Sequence, residues 1–435
     1  MTLRYEEAVD WIHSRLRLGI KPGLERMLYL LEQLGHPEQK NKWIHVAGTN
    51  GKGSTVSFMR TVLQDSGYEV GTFTSPYIES FNERISVNGV PISDESIVAL
   101  VEKFQPIVEG MQDSPFGEPT EFEVVTAMFF EYFATMHPID IGIVEVGLGG
   151  RLDCTNVFTP LLSVITTIGM DHIGILGDTL AKIASQKAGI IKRNVPVISG
   201  VTQLELQPLF QQWAAEQEAP YYASGADFKL TAVADDRFHF ENRENRLADI
   251  EVGLVGAHQL RNAAVAIQAL LLLPEHYSNI TEATIRQGIA RASWPGRFEK
   301  LSEAPVLIID GAHNNEGIET FVQTMSTEFP TQKSYVLFSA LTDKPIDQMI
   351  SRLQTCFAEN VILTTFDYPR ALTAAELQVK SEKLNVQVEV EWQSTLLELI
   401  NIAKAEAAVV SITGSLYFIA EVRAFLLKRI AATIK

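Results

Sequence analysis

The chain has 435 residues, of which 46% are apolar, 20% charged and 9% aromatic. That length and composition exclude a mini-protein, a collagen-like repeat and a disordered chain, and leave room for two or three domains with separate cores. The balance of 36 basic against 53 acidic residues, a net charge of −17, argues against nucleic acid or an anionic membrane as partner, because such surfaces require clustered lysine and arginine to displace counterions.

The first stretch, Tyr5 to Leu18, mixes charges with apolar residues at helical spacing, and no apolar run approaches the roughly 18 residues of a spanning segment. The only cysteines, Cys154 and Cys356, form no disulfide framework, and two thiols suit a reducing compartment, so a cytoplasmic protein is expected. Apolar runs at Trp43–Gly48, Val70–Thr74, Ile141–Gly147, Leu161–Gly169 and Val195–Gly200 predict strands buried on both faces. Amphipathic helices between them give the alternation of a mostly parallel sheet. From Phe228 to Ile250 polar and apolar residues alternate, which predicts antiparallel hairpins at an edge. Trp294-Pro295-Gly296 is a turn signal, after which Pro305–Asp310, Ser334–Leu341, Asn360–Phe366, Val386–Trp392 and Ala407–Gly414 repeat the strand–helix alternation. The expected fold is α/β: a parallel-sheet, phosphate-loop (P-loop) ATPase-like domain over 1–296, then a smaller Rossmann-like domain over 297–435. Ligands in such sheets lie beyond the carboxyl ends of the strands.

The phosphate loop follows the first strand as Gly48-Thr49-Asn50-Gly51-Lys52-Gly53-Ser54 and opens a helical run. Glycines let backbone N–H groups and a helix N-terminus face a phosphate, and Lys52 adds a point charge. The strict Walker A pattern is broken, with Val46 in place of its first glycine and Gly53 after the lysine, but strand, turn, lysine and helix come in the order the mechanism requires. Glu145 ends an apolar run, where an isolated carboxylate is costly; a bound cation or a pairing with Arg151 would each resolve it.

GTNGKGS resembles the phosphate loop of the folylpolyglutamate and dihydrofolate synthases, relatives of the muramyl peptide ligases. The resemblance continues in the same order through TSPYIESFNERISVNG (Thr74–Gly89), EVGLGGRLDCTN (Glu145–Asn156), MDHIGILGDTLAKIASQKAGIIK (Met170–Lys192), GAHQLRNAAVAI (Gly256–Ile267), WPGRFE (Trp294–Glu299), DGAHN (Asp310–Asn314) and TGSLYFIAEVR (Thr413–Arg423).

The resemblance implies an ATP-dependent amide ligase that adds L-glutamate to the carboxylate of a folate through an acyl phosphate. It implies Mg²⁺ on Ser75, Glu145 and His172, with Ser54 as a further phosphate or metal contact. It places ATP on the phosphate loop, Asn262, Arg297, Asp310 and His313, and a carbamylated Lys187 at the metal site. Lys52, Lys187 and His313 are the expected catalytic residues. Arg84 is the expected cationic contact of the folate, Asp153 is expected to face the pteridine or the metal site, and Ser415 and Tyr417 are the expected contacts for glutamate. Plainer roles stand beside these: a helix-capping Asp310, a helix-surface Asn262, a linker salt bridge for Arg297, a solvated Lys187 and a simple turn at Gly414-Ser415. Tyr77 departs from the family, many members of which have histidine there, and this bears on pterin preference. The acceptor would be tetrahydrofolate with its growing tail, dihydropteroate, or both. A dihydrofolate synthase alone, a muramyl peptide synthetase and a non-catalytic ATP-sensing switch are the alternatives. A monomer is expected, with the strand ends of the two domains facing one cleft.

The charge is uneven: from Arg297 onward 13 basic residues stand against 17 acidic ones, and before it 23 against 36. The part bearing the phosphate loop is thus the more acidic. ATP binding there is expected to rest on magnesium, backbone amides and the few cations Lys52, Arg84 and Arg297.

Overall fold

The computed structural model describes residues 3–19 and 21–433. Two compact units emerge. One runs to Gly253 and takes up Gln259–Ser293; the other comprises Leu254–His258 and the chain from Trp294 onward. The short excursion at Leu254–His258 has no counterpart in a reading that divides the chain once, at 296.

The first unit is built on an eight-stranded sheet: β1 (Trp43–Ala47), β2 (Val70–Phe73), β3 (Ile85–Val87), β4 (Val90–Pro91), β5 (Ile141–Glu145), β6 (Leu162–Ile165), β7 (Val197–Ser199) and β8 (Tyr221–Ala223). Their order is β4-β3-β2-β5-β1-β6-β7-β8. Pairing is parallel from β2 to β8, while β3 and β4 form an antiparallel hairpin on the β2 side. The five anticipated strands are β1, β2, β5, β6 and β7, and every residue in them is buried, as a sheet covered on both faces requires. The β3–β4 hairpin was not anticipated, although its Asn88-Gly89 turn, with φ of 52° and 78°, is a strong hairpin signal.

One face of this sheet packs on an aromatic core with Trp43, Phe73, Phe104, Phe129 and Phe130; Ile165, Ile183, Val197 and Phe210 belong to a second cluster. The alternating segment forms β9 (Phe228–Ala234), β10 (Arg237–Asn242) and β11 (Arg246–Glu251), antiparallel as expected but in a three-stranded sheet of their own.

The second unit has β12 (Glu299–Glu303), β13 (Val306–Ile309), β14 (Ser334–Phe338), β15 (Val361–Thr365), β16 (Gln387–Glu391) and β17 (Val409–Thr413), in the order β12-β13-β17-β14-β15-β16. The five anticipated strands pair in parallel; the sixth, β12, is an antiparallel edge. Ile308, Phe321, Val336, Met349, Leu353 and Val361 lie in its core. In both sheets the chain leaves a central strand first to one side and later to the other, which opens a crevice at the carboxyl ends.

Candidate active site

In the first unit β1 delivers the glycine-rich turn to the carboxyl edge, and the helix Lys52–Asp65 begins directly at Lys52. Gly51 adopts a left-handed conformation, φ 85°, and no side chain caps the helix start, so the first N–H groups point into the turn. The loop is laced to the residues after β6. Thr49 N–H donates to Thr167 O at 2.8 Å, Asn50 N–H to Thr167 Oγ1 at 3.0 Å, and Thr166 Oγ1 to Asn50 O at 2.6 Å. Asn262 is buried, not at a helix surface. Its amide Nδ2 donates to Gln259 Oε1 at 2.9 Å, and its Oδ1 would be 2.4 Å from a Cβ added at Gly51, so it packs directly on the loop.

Lys52 Nζ donates to Gly48 O at 3.1 Å and lies 3.9 Å from Glu145 Oε1 at the end of β5. Glu145 therefore faces Lys52, while Arg151 reaches Ser185 O at 3.4 Å. Ser75 follows β2, Glu145 ends β5 and His172 follows β6, so the three expected metal ligands leave strands that lie around β1. His172 sits at φ 49°, its N–H donating to Asp171 Oδ1 at 2.8 Å. Among the described residues no group of three or more His, Cys, Asp or Glu side chains is arranged to hold a metal. Of the three expected ligands only Glu145 and His172 are of those types; the third, Ser75, would bring a hydroxyl, as would Ser54. Hydroxyl and carboxylate oxygens are the hard donors that a small divalent cation such as Mg²⁺ takes, with water completing its shell.

Lys187 ends the helix Leu180–Lys187, is buried, and donates from Nζ to Gly48 O at 3.0 Å, the same carbonyl that Lys52 holds. It is not a solvated lysine. Burial first, and the like charge of Lys52 second, pull its pKa down to about 7 against the opposing pull of Asp171 and Asp153. The loop after β5 meets the end of this helix, Arg151 N–H donating to Gln186 O at 2.8 Å. Asp153 organises that loop: its carboxylate accepts from Leu148 N–H at 2.7 Å, Thr155 N–H at 3.0 Å and Thr155 Oγ1 at 2.5 Å. Burial raises its pKa while hydrogen bonds from Thr155, Leu148 and Gly147 oppose the rise. Most of its lone-pair positions are thus taken by the loop itself, which makes Asp153 a clamp before it is a substrate contact. Behind it, His45 Nε2 lies 2.9 Å from Thr155 Oγ1, and burial lowers the His45 pKa to about 3, so the imidazole is neutral.

Arg84 forms a buried ion pair, Nη1 to Glu121 Oε1 at 2.9 Å, with its guanidinium 5.6 Å from the Tyr77 ring and 5.5 Å from that of Phe81. Tyr77 is thus part of the wall around this cation. Glu121 was not anticipated; its sequence signature is only an acid in the first turn of a capped helix, common to many helices.

In the second unit Asp310 and His313 follow β13. Asp310 accepts from Phe298 N–H and Ala312 N–H at 2.8 and 2.9 Å, and the cap of the next helix is Asn314. Asp310 therefore clamps a turn and does not cap a helix. Burial raises its pKa, and the charge of Arg297 is the main opposing influence. His313 Nδ1 lies 2.8 Å from Gly311 O; a carbonyl only accepts, so the proton is on Nδ1 and Nε2 is the basic nitrogen. Tyr417 stacks on Tyr368 with centroids 4.4 Å apart, and Ser415 is buried at the end of β17. Thr166, Thr167 and Gln259, which hold the phosphate loop and Asn262, were not anticipated. The only sequence signal for the two threonines is their place just after a strand.

Residues 119–270 match the Mur ligase middle domain and residues 296–416 the Mur ligase, glutamate ligase domain. The chain is 47% identical to the dihydrofolate synthase/folylpolyglutamate synthase of Bacillus subtilis (strain 168), over 97% of this chain and 99% of that protein. It is 37% identical to the folylpolyglutamate synthase of Lacticaseibacillus casei, over 98% and 99%. Among solved structures, a Mycobacterium tuberculosis folylpolyglutamate synthase complexed with ADP aligns with a TM-score of 0.88 at 30% identity, covering 97% of this chain and 98% of that one. An FPGS-AMPPCP-folate complex aligns at 0.84 and 34%, covering 98% and 100%. The chain therefore belongs to the folylpolyglutamate synthase and dihydrofolate synthase family, ATP-dependent ligases of the two-domain Mur ligase fold.

Proposed function

We propose that the chain ligates L-glutamate to the carboxylate of a folate at the expense of ATP. The carboxylate attacks the γ-phosphorus, ADP leaves, and the resulting acyl phosphate is opened by the α-amine of glutamate with release of phosphate. The observation that carries this reading is the phosphate loop at the carboxyl end of β1, with Lys52 and Glu145 3.9 Å apart and Lys187 on the same carbonyl as Lys52. The loop's N–H groups and Lys52 bind the triphosphate, and Asn262 holds the loop's shape from behind. Ser75, Glu145 and His172 would hold Mg²⁺, which when bound would neutralise charge on the transferring phosphoryl group.

Lys187, with its depressed pKa, offers a neutral amine whose nitrogen would bond to the carbon of CO2 and release one proton to solvent, giving a carbamate. We assign the first domain, 1–296, to ATP and folate, with Arg84 as the folate's cationic contact and the Asp153 loop beside it. The second, 297–435, takes glutamate at Ser415 and Tyr417, while Arg297, Asp310 and His313 belong to the nucleotide and the incoming amine. His313 Nε2 is the base that removes a proton from the glutamate ammonium. No described helix is long and apolar enough to cross a membrane, and the reading is of a cytoplasmic monomer.

Tetrahydrofolate is the acceptor. The relative at 47% identity carries both activities in its name, which favours dihydropteroate as a second one. Incubating the purified protein with ATP, Mg²⁺, glutamate and each acceptor in turn, and weighing the products by mass spectrometry, tests this. A product one glutamate heavier is expected with both. Growth of tetrahydrofolate alone removes the second acceptor, and no product with either would support an ATP-sensing protein instead.

A further inference from the structure

Two serine hydroxyls at the carboxyl end of the second unit's sheet are buried and have no hydrogen-bond partner among the described residues. Ser415 follows β17, and its carbonyl accepts the N–H of Ile419, so it occupies the N-cap of the helix Leu416–Thr433. Hydroxyls at that position ordinarily accept from a backbone N–H two or three residues on. Thr120, Thr179, Thr281 and Thr373 all do so in this chain. Ser415 Oγ does not, although the residue is only 2% exposed. Ser339 follows β14, is also 2% exposed, and its Oγ is likewise unpartnered.

The two lie on adjoining strand ends. Phe338 of β14 pairs with Thr413 of β17, and Ser339 N–H donates to Thr413 O at 3.2 Å. Gly414, between β17 and Ser415, approaches so closely that an added Cβ would stand 2.5 Å from Ser339 O. Gly414 N–H in turn donates to Ala312 O at 3.0 Å, which ties these ends to the turn carrying Asp310 and His313. A buried hydroxyl with no partner is unfavourable, and two of them at adjoining strand ends point to a ligand that supplies the missing bonds. A hydroxyl donor at the start of a long helix, with a second at the adjoining strand end, suits an anion with several lone pairs, and a carboxylate is the anion that an amino-acid substrate brings.

We propose that Ser339 is a specificity-determining residue of the ligase, its hydroxyl acting with that of Ser415 to hold one carboxylate of the incoming amino acid. The proposal rests on the reading that the second domain receives glutamate, and it adds a residue just after β14 to the contacts expected after β17.

Steady-state kinetics on the full chain at saturating ATP and folate tests it. Ser339→Ala is expected to raise KM for L-glutamate about 10-fold, with kcat and KM for ATP changed less than about two-fold. Ser339→Thr, which keeps the hydroxyl, is expected to restore most of the loss. Should the alanine variant not fold, Ser339→Cys, close in size but a weak donor, is expected to show the same split. Wild-type KM for glutamate in Ser339→Ala, with a raised value in Ser415→Ala, would overturn the proposal and leave the glutamate-binding domain standing. Wild-type values in both variants would overturn that reading as well.

Discussion

Lys187 is held where an ammonium is least comfortable, buried and beside Lys52, and burial with that like charge brings its pKa to about 7. A carbamate forms from the neutral amine, so raising the pH through 7 should increase the ¹³C signal of a carbamate in ¹³C-bicarbonate, and with it the activity. Lys187→Arg should show no such signal and lose activity on the order of 100-fold, as removal of a fixed charge from a phosphoryl-transfer site does. Activity in Lys187→Arg equal to wild type would contradict the assignment. Gly51 gives a second prediction at this scale. Its φ of 85° and the 2.4 Å from an added Cβ to Asn262 Oδ1 mean that Gly51→Ala is strained and displaces the amide. The variant should lose about 1–2 kcal/mol in urea unfolding, with a raised KM for ATP.

The loop after β5 shows how an element is held by one residue. Asp153 accepts three hydrogen bonds from its own loop, and Thr155 extends the chain back to neutral His45. Asp153→Asn puts an NH2 where an acceptor is required, so a loss of roughly 1–3 kcal/mol is expected in urea unfolding, because buried donors lose their partner. Activity should fall too, as the same loop abuts the helix that ends in Lys187. Wild-type stability would show the loop to be held otherwise. Much of this scale was legible beforehand. The buried strands declare themselves as unbroken apolar runs, and the phosphate loop as glycines and a lysine between strand and helix. What stayed hidden depends on contacts between distant segments: Glu121 against Arg84, Thr166 and Thr167 against the loop, Ser339 against Gly414. In sequence each looks like an ordinary helix or strand-end residue, and only the sheet order brings it to its partner. Short edge strands such as β12 were missed because half-exposed strands carry weak hydrophobic patterns.

At the scale of the molecule, the net charge of −17 sets the terms on which a tetra-anionic nucleotide is bound. The stretch before Arg297 is the more acidic, and Glu145 stands near Lys52 at the loop itself, so backbone amides and Lys52 work against an adverse field. ATP affinity by calorimetry should therefore fall at least about 10-fold when EDTA removes Mg²⁺, and affinity indifferent to magnesium would count against the assigned ligand set. The central claim is that glutamate joins the folate through an acyl phosphate, and isotope transfer reads this out most directly. With a folate labelled with ¹⁸O in the reacting carboxylate, each turnover with ATP and glutamate should deliver one ¹⁸O atom to the released phosphate. Glutamylated product accompanied by unlabelled phosphate would contradict the account.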